Sequence, residues 1–274
     1  MVGGIPAAGA SGPGTAPAAR ENISARAELG VALVTGASRG IGRVTALSLA
    51  QSGFSVAINY RAAEAEAEAV IREITKQGGN AAPFQADLSV EGEARGLVDR
   101  VEGALGPLCV LVNNAGAIRD RLIVKMSEED WNFTWDTNLA GPRLVSRAAL
   151  RSMAERRDGR IINVSSVVGA TGNAGQANYA TAKSALLGLT RDLALEGAPF
   201  GIPVNCIIPG YILTDATSHL DKGQQEAWFR RIPMARPATA PDVAELVTYL
   251  ATSRSTYLTG QCIAVDGGLL AFES

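Results

Sequence analysis

The 274-residue chain predicts an α/β fold, a doubly wound parallel sheet of about seven strands with helices on both faces. Three observations predict it. Short β-branched runs alternate with segments of helical period along the whole chain, with no repeat or linker dividing them. Apolar residues make up 47% of the chain, enough for a sizeable core, while aromatics are only 5%. Small side chains therefore dominate the packing of helix on sheet.

The elements follow in order. Val31 to Thr35 is an apolar strand running into a glycine-rich turn, and Ile41 to Ser52 reads as a helix. Phe54 to Asn59 is a second strand. Ala63, Ala67, Val70, Ile71 and Ile74 recur at helical spacing until Gly78-Gly79 ends the segment. Ala81 to Ala86 is a weaker third strand, Val90 to Leu105 a helix, and Leu108 to Val112 a fourth strand. Ser127-Glu-Glu-Asp130 has the form of a capped start, predicting one long helix towards Arg156. Arg160 to Val164, Val204 to Ile208 and Cys262 to Val265 are the remaining strands. Asn178 to Glu196 and Pro241 to Ala251 are helices, the latter with Pro in its first turn.

Residues 1–28 are rich in Gly, Ala and Pro and predict a disordered tail before a single domain over 29–274. The tail lacks a basic start and long apolar core, and no apolar run approaches the ~20 residues that cross a bilayer. The expectation is a cytoplasmic protein. With 25 basic and 27 acidic residues, nothing in the global charge calls for nucleic acid or a membrane surface. Cys109, Cys206 and Cys262 are widely spaced in apolar runs and read as buried thiols of a reducing compartment. His219 is the only histidine, which leaves little for a zinc site or a Ser-His-Asp triad.

In a sheet of this kind ligands bind beyond the carboxyl ends of the strands, and the candidate residues cluster there. Thr35-Gly36-Ala37-Ser38-Arg39-Gly40-Ile41-Gly42 joins the first strand to a helix. Glycines allow a tight turn and close approach of a pyrophosphate, and the helix N-terminus offers free N–H groups. The second strand ends in Asn59-Tyr60-Arg61, where a carboxylate would select the 2′-OH of NAD. None is present, and Arg39 and Arg61 are candidates for a 2′-phosphate, so NADP(H) is the expected cofactor. Tyr179 and Lys183 are four residues apart in a helical segment, hence on one face. A neighbouring ammonium favours phenolate, so a lowered Tyr179 pKa is expected.

The G-x-x-x-G-x-G spacing from Gly36 to Gly42, with Tyr179-x-x-x-Lys183, resembles the short-chain dehydrogenase/reductase family over nearly all of residues 29–272. The implied fold is Rossmann-like. The resemblance implies a catalytic set of Asn138, Ser166, Tyr179 and Lys183. Ser166 would donate to the substrate carbonyl, while Ser165 points away in an extended segment. Asn138 would support a water linked to Lys183, with packing or capping as the alternative. Asp87-Leu88 and Asn114-Ala115-Gly116 would line the adenosine side, Asn113 having a structural role at least as well supported. Pro209-Gly210 and Ile212 would lie against the nicotinamide, Thr214 at a phosphate, and Asp215 to Arg236 would form a substrate lid.

Within the family the chain looks closest to the β-ketoacyl-acyl carrier protein reductases, on Ile118 to Met126, Ser166 to Tyr179, Thr259-Gly260-Gln261 and Val265-Asp266-Gly267-Gly268. This implies a homotetramer reducing 3-oxoacyl thioesters, with an acidic carrier protein docking on Arg157 and neighbouring arginines. Arg143, Arg147 and Arg151 recur every fourth residue and read more naturally as a solvated or subunit-facing stripe. A second basic docking position of the family is Phe200 here. The rival readings are another ketone or acyl-coenzyme A reductase of the same family, and a non-catalytic NADP-sensing protein.

Overall fold

The computed structural model describes residues 29–212 and 229–272. The 1–28 tail, Thr214, His219 and much of the predicted lid lie outside them. The described residues build seven parallel strands in the order β3-β2-β1-β4-β5-β6-β7. The strands are β1 (Val31–Val34), β2 (Ser55–Tyr60), β3 (Ala81–Gln85), β4 (Leu108–Asn113), β5 (Arg160–Val164), β6 (Val204–Pro209) and β7 (Cys262–Val265). Crossover helices are α1 (Gly40–Gln51), α2 (Glu64–Lys76), α3 (Glu91–Leu105), α4 (Glu128–Trp135), α5 (Gly141–Arg156), the short α6 (Val168–Thr171), α7 (Ala177–Gly197) and α8 (Ala240–Thr252). A last turn, α9 (Leu269–Phe272), follows β7.

The inner strands are covered on both faces and so are largely apolar, and all four residues of β1 are buried. Two cores result. Leu49, Val70, Val243 and Val247 from α1, α2 and α8 pack on one face around Val34, Ile58 and Val112. Leu97, Val145 and Leu193 from α3, α5 and α7 pack on the other around Leu33, Leu111 and Ile161. The chain winds outward from β1 to β3, then returns to place β4 on the other side of β1. The connections after β1 and β4 therefore leave the sheet in opposite directions and open a crevice at their carboxyl ends.

The single long helix expected from Ser127 to Arg156 is broken in register. Ser127 does cap α4, accepting from the Asp130 N–H at 3.1 Å. Between α4 and α5, however, Asp136–Ala140 forms one π-helical turn in which the Gly141 N–H donates to the Asp136 carbonyl, five residues back. Pro142 explains it: proline has no N–H for the Asn138 carbonyl four residues earlier, and its ring crowds that oxygen. The cysteine expectation also needs correction. Cys206 is buried, but Cys109, near the start of β4, and Cys262, on the edge strand β7, are only partly so; all three are free thiols. No helix among the described residues is long and apolar enough to cross a membrane.

Candidate active site

The turn after β1 is fixed from three sides. Gly36 has φ +62°, and a Cβ there would lie 2.9 Å from the Ala115 Cα. A Cβ on Gly42 would collide with the Gly36 carbonyl oxygen. The Thr35 hydroxyl accepts from the Asn114 and Ala115 N–H groups, both at 2.9 Å. The Asn114 side chain returns two bonds, to the carbonyls of Thr35 (2.9 Å) and Gly36 (3.2 Å). Asn59, buried, accepts from the Gly36 N–H at 3.2 Å and donates to the Phe84 and Ala86 carbonyls. Its amide is thus committed to holding the turn in place.

The mouth of this turn suits an anion. Arg39, the N-cap of α1, makes no side-chain cap bond, and no acid stands in the first helical turn. The first N–H groups of α1 and its positive dipole end are therefore unopposed. Ser38 and Ile41 are partly buried, Gly40 is exposed, and the Arg39 and Arg61 side chains reach solvent. On the neighbouring strand end, Asp87 accepts from the Ser89 N–H and hydroxyl at 2.9 and 2.7 Å, and Leu88 is buried.

The polar cluster lies beyond β5. Ser165 turns under α7, its hydroxyl donating to the Lys183 carbonyl at 2.7 Å. Ser166 turns the other way: its hydroxyl accepts from the Val168 N–H at 3.2 Å and acts on the Tyr179 phenol, favouring its charged form. Lys183, 3% exposed, donates to the Val164 carbonyl at 2.8 Å and sits 5.7 Å from the centre of the Tyr179 ring. Burial governs both titrations. It pushes the Tyr179 phenol up to about 12, with the Ser166 hydrogen bond opposing and the Asp120 charge adding. It pulls Lys183 down to about 8. The expected lowering of the Tyr179 pKa is therefore not present in the protein alone: desolvation outweighs the Ser166 hydrogen bond that opposes it.

Asn138, in the π turn, is fully buried. Its amide donates to the Ala117 and Thr134 carbonyls at 2.7 and 2.8 Å, leaving its side-chain oxygen without a partner. A Cβ on Gly116 would fall 2.9 Å from that oxygen and 3.7 Å from the Lys183 Nζ. The orphaned acceptor and the buried ammonium thus border one small space, kept open by the missing side chain of Gly116. Asn113 lies deeper, bridging Ser146 and Asn163 at 2.8 Å each, a link between strands and helix rather than a lining of the crevice.

Sequence reading missed Asn178. Fully buried, it accepts from the Tyr179 N–H at 2.8 Å and donates to the Arg119 and Asp130 carbonyls and the Thr134 hydroxyl. It pins the start of α7, and so Tyr179, to α4 and to the loop before it. Its only sequence signal is an amide directly ahead of the tyrosine. After β6, the Pro209 carbonyl accepts from the Val167 N–H and the Gly210 N–H donates to Val265, both at 2.9 Å. A Cβ on Gly210 would meet the Asp266 Cα at 2.7 Å, and Ile212 is buried in a bridge to Ala238.

The arginines divide. Arg156 braces the fold through Glu102 at 3.1 Å and the Leu108 carbonyl at 2.7 Å. Arg157, in the left-handed region at φ +55°, donates to the Pro199 carbonyl and lies 5.9 Å from the Phe200 ring. Arg143, Arg147 and Arg151 are exposed along α5.

Residues 36–270 match the family model adh_short_C2, described as enoyl-(acyl carrier protein) reductase. The chain is 45% identical over 238 residues to the 3-oxoacyl-[acyl-carrier-protein] reductase FabG of Staphylococcus aureus, covering 87% of this chain and 97% of that protein. It is 43% identical over 243 residues to the 3-oxoacyl-[acyl-carrier-protein] reductase of Synechocystis, covering 88% and 97%. A solved Sinorhizobium meliloti chain, assigned as a short-chain alcohol dehydrogenase, superposes with a TM-score of 0.85 at 36% identity over 89% of this chain and 98% of that one.

Proposed function

Since this chain belongs to the short-chain dehydrogenase/reductase family, we propose that it reduces 3-oxoacyl thioesters, delivered on an acyl carrier protein, to (3R)-hydroxyacyl products with NADPH. The work would serve fatty-acid synthesis or a related pathway. The observation that carries the reading is the Tyr179 ring 5.7 Å from the buried Lys183 ammonium, with the Ser166 hydroxyl acting on the phenol.

The site fits a nicotinamide dinucleotide. Gly36, Ser38, Arg39, Gly40, Ile41 and Gly42, with the open N-terminus of α1, would hold its phosphates. Asn59 and Asn114 keep that turn rigid. Arg61, Asp87, Leu88, Ala115 and Gly116 would border the adenosine side, Pro209, Gly210 and Ile212 the nicotinamide side, and Thr214 would meet a phosphate. When bound, the reduced nicotinamide supplies hydride to the carbonyl carbon. Ser166 donates a hydrogen bond to the carbonyl oxygen. Tyr179 stays protonated at neutral pH and so is a donor: it gives its proton to that oxygen, which as an alkoxide is the stronger base. The phenolate left behind is stabilised by Lys183. Asn138 and Lys183 then border the route by which a proton returns to Tyr179.

NADPH is favoured over NADH because no carboxylate stands at the end of β2 and two arginines flank it. The acyl carrier protein is favoured by the names of the Staphylococcus and Synechocystis relatives and by exposed Arg157. The family resemblance supplies the rest of the reading: a cytoplasmic homotetramer, with residues 29–274 as its catalytic domain.

The test is Tyr179→Phe assayed with NADPH and a 3-oxoacyl thioester. Turnover is expected to fall by ~10²–10⁴ while NADPH still binds; near-normal turnover rejects the mechanism. Competition among carrier-bound, coenzyme A-bound and free ketone substrates decides the substrate class.

A further inference from the structure

Arg61 is exposed just past the end of β2, and no carboxylate among the described residues pairs with it. Its guanidinium instead lies over an aromatic ring from another element: the Arg61 Cζ is 5.3 Å from the centre of the Phe133 ring, on α4. The contact crosses the carboxyl edge of the sheet, from the connection after β2 to the helix that follows β4. Arg61 is also anchored at its backbone, where the Gln85 amide donates to its carbonyl at 3.1 Å.

The ring is itself held. Arg119 stacks on it at 4.1 Å and is neutralised by Glu129 at 3.1 Å and Asp130 at 3.2 Å. Of the two arginines on Phe133, one has its charge satisfied and the other does not. An unpaired guanidinium on a long side chain loses rotamer freedom when a ligand orders it. A ring that already confines it lessens that loss, and a cation over a ring face is worth roughly 0.5–1 kcal/mol at an exposed site, or two- to fivefold in affinity.

We propose that Phe133 is a positioning residue for cofactor selection: it holds Arg61 at the end of β2, ready for a phosphomonoester on the ribose 2′ position. The discriminating element thus comes partly from α4, which carries no phosphate-binding motif. The proposal rests on the NADP reading above.

The test is equilibrium binding of NADPH and of NADH to the full chain without substrate, followed by nicotinamide fluorescence. Arg61→Ala is expected to weaken NADPH tenfold or more and leave NADH unchanged. Phe133→Leu is expected to weaken NADPH roughly two- to fivefold, again sparing NADH, whereas Phe133→Tyr, which keeps the ring, stays at the wild-type value. In the Arg61→Ala background, Phe133→Leu should add nothing. Equal weakening of NADPH and NADH by Phe133→Leu, or its full effect without Arg61, overturns the proposal and marks Phe133 as a fold residue only. Wild-type protein that binds NADH as tightly as NADPH removes the NADP reading itself, and the proposal with it.

Discussion

Replacing Lys183 by Met should make the protein more stable while abolishing turnover. Lys183 is 3% exposed, and burial lowers its pKa from the ordinary 10.5 to about 8. At 1.36 kcal/mol per tenfold change, that displacement corresponds to about 3 kcal/mol of folding free energy lost in burying the ammonium. The sign follows from proton counting. Below about pH 8 both states carry the proton, and the destabilisation is present in full. Between about 8 and 10.5 the folded state releases it first, so stability climbs with pH, and above 10.5 the group is neutral in both states. Met keeps the apolar stem but loses the bond to the Val164 carbonyl, worth about 1 kcal/mol. The net gain at pH 7 is about 2 kcal/mol, or roughly 4–8 °C in Tm for a domain of this size. Calorimetry of both proteins at pH 7 and pH 10 checks it, with the advantage expected to vanish at the higher pH. A variant no more stable than wild type at pH 7, or equally favoured at both values, refutes the assignment of the burial cost to this ammonium.

Three further outcomes are expected. Ser166→Ala should lower kcat/KM for reduction by ~10²–10³ without changing NADPH affinity. Ser165→Ala, which loses only the bond to the Lys183 carbonyl, should cost about 1 kcal/mol of stability; a matched loss of rate in both variants contradicts their opposite orientations. The pH profile of kcat/KM for reduction should be level near neutrality and fall above about 8 as Lys183 loses its proton, with no limb from Tyr179 in the accessible range; a profile rising through pH 8 rejects the ammonium's role. Arg157→Glu should raise KM for carrier-bound substrate roughly five- to tenfold through charge repulsion and leave small 3-oxoacyl thioesters unaffected, as steady-state assays with both substrates would show.

Strand and helix periodicity made the fold legible, because a sheet covered on both faces demands apolar runs and its helices demand a stripe. Boundaries moved by a residue or so where caps are weak. What periodicity could not deliver was the π turn at Asp136–Ala140: the apolar stripe passes through it without a visible break, and only Pro142, one residue inside α5, signals that a carbonyl four residues earlier must be released. Motif spacing located Tyr179, Lys183 and Ser166, since four residues on a helix and two faces of a strand are geometric facts. It could not give the direction of the Tyr179 shift, which depends on how much protein surrounds the phenol. Nor could it find Asn178 or the Phe133–Arg61 contact, because both join segments far apart in sequence.

Burial explains why the site tolerates its own cost. The same desolvation that raises Tyr179 to about 12 and lowers Lys183 to about 8 weakens both charged forms before the reaction begins. Once a negative charge develops at the phenol, the balance changes. Under the proposed mechanism, the ammonium beside the ring would then favour that charge by Coulomb attraction. Each tenfold in rate would require about 1.4 kcal/mol of that attraction, set against the ~3 kcal/mol that burying the ammonium takes from stability. In open solvent the burial penalty would disappear, and so would most of the rate gain. A chain that moved Lys183 to the surface would fold more firmly and react more slowly for one reason, so stability and turnover should change in opposite senses at this position.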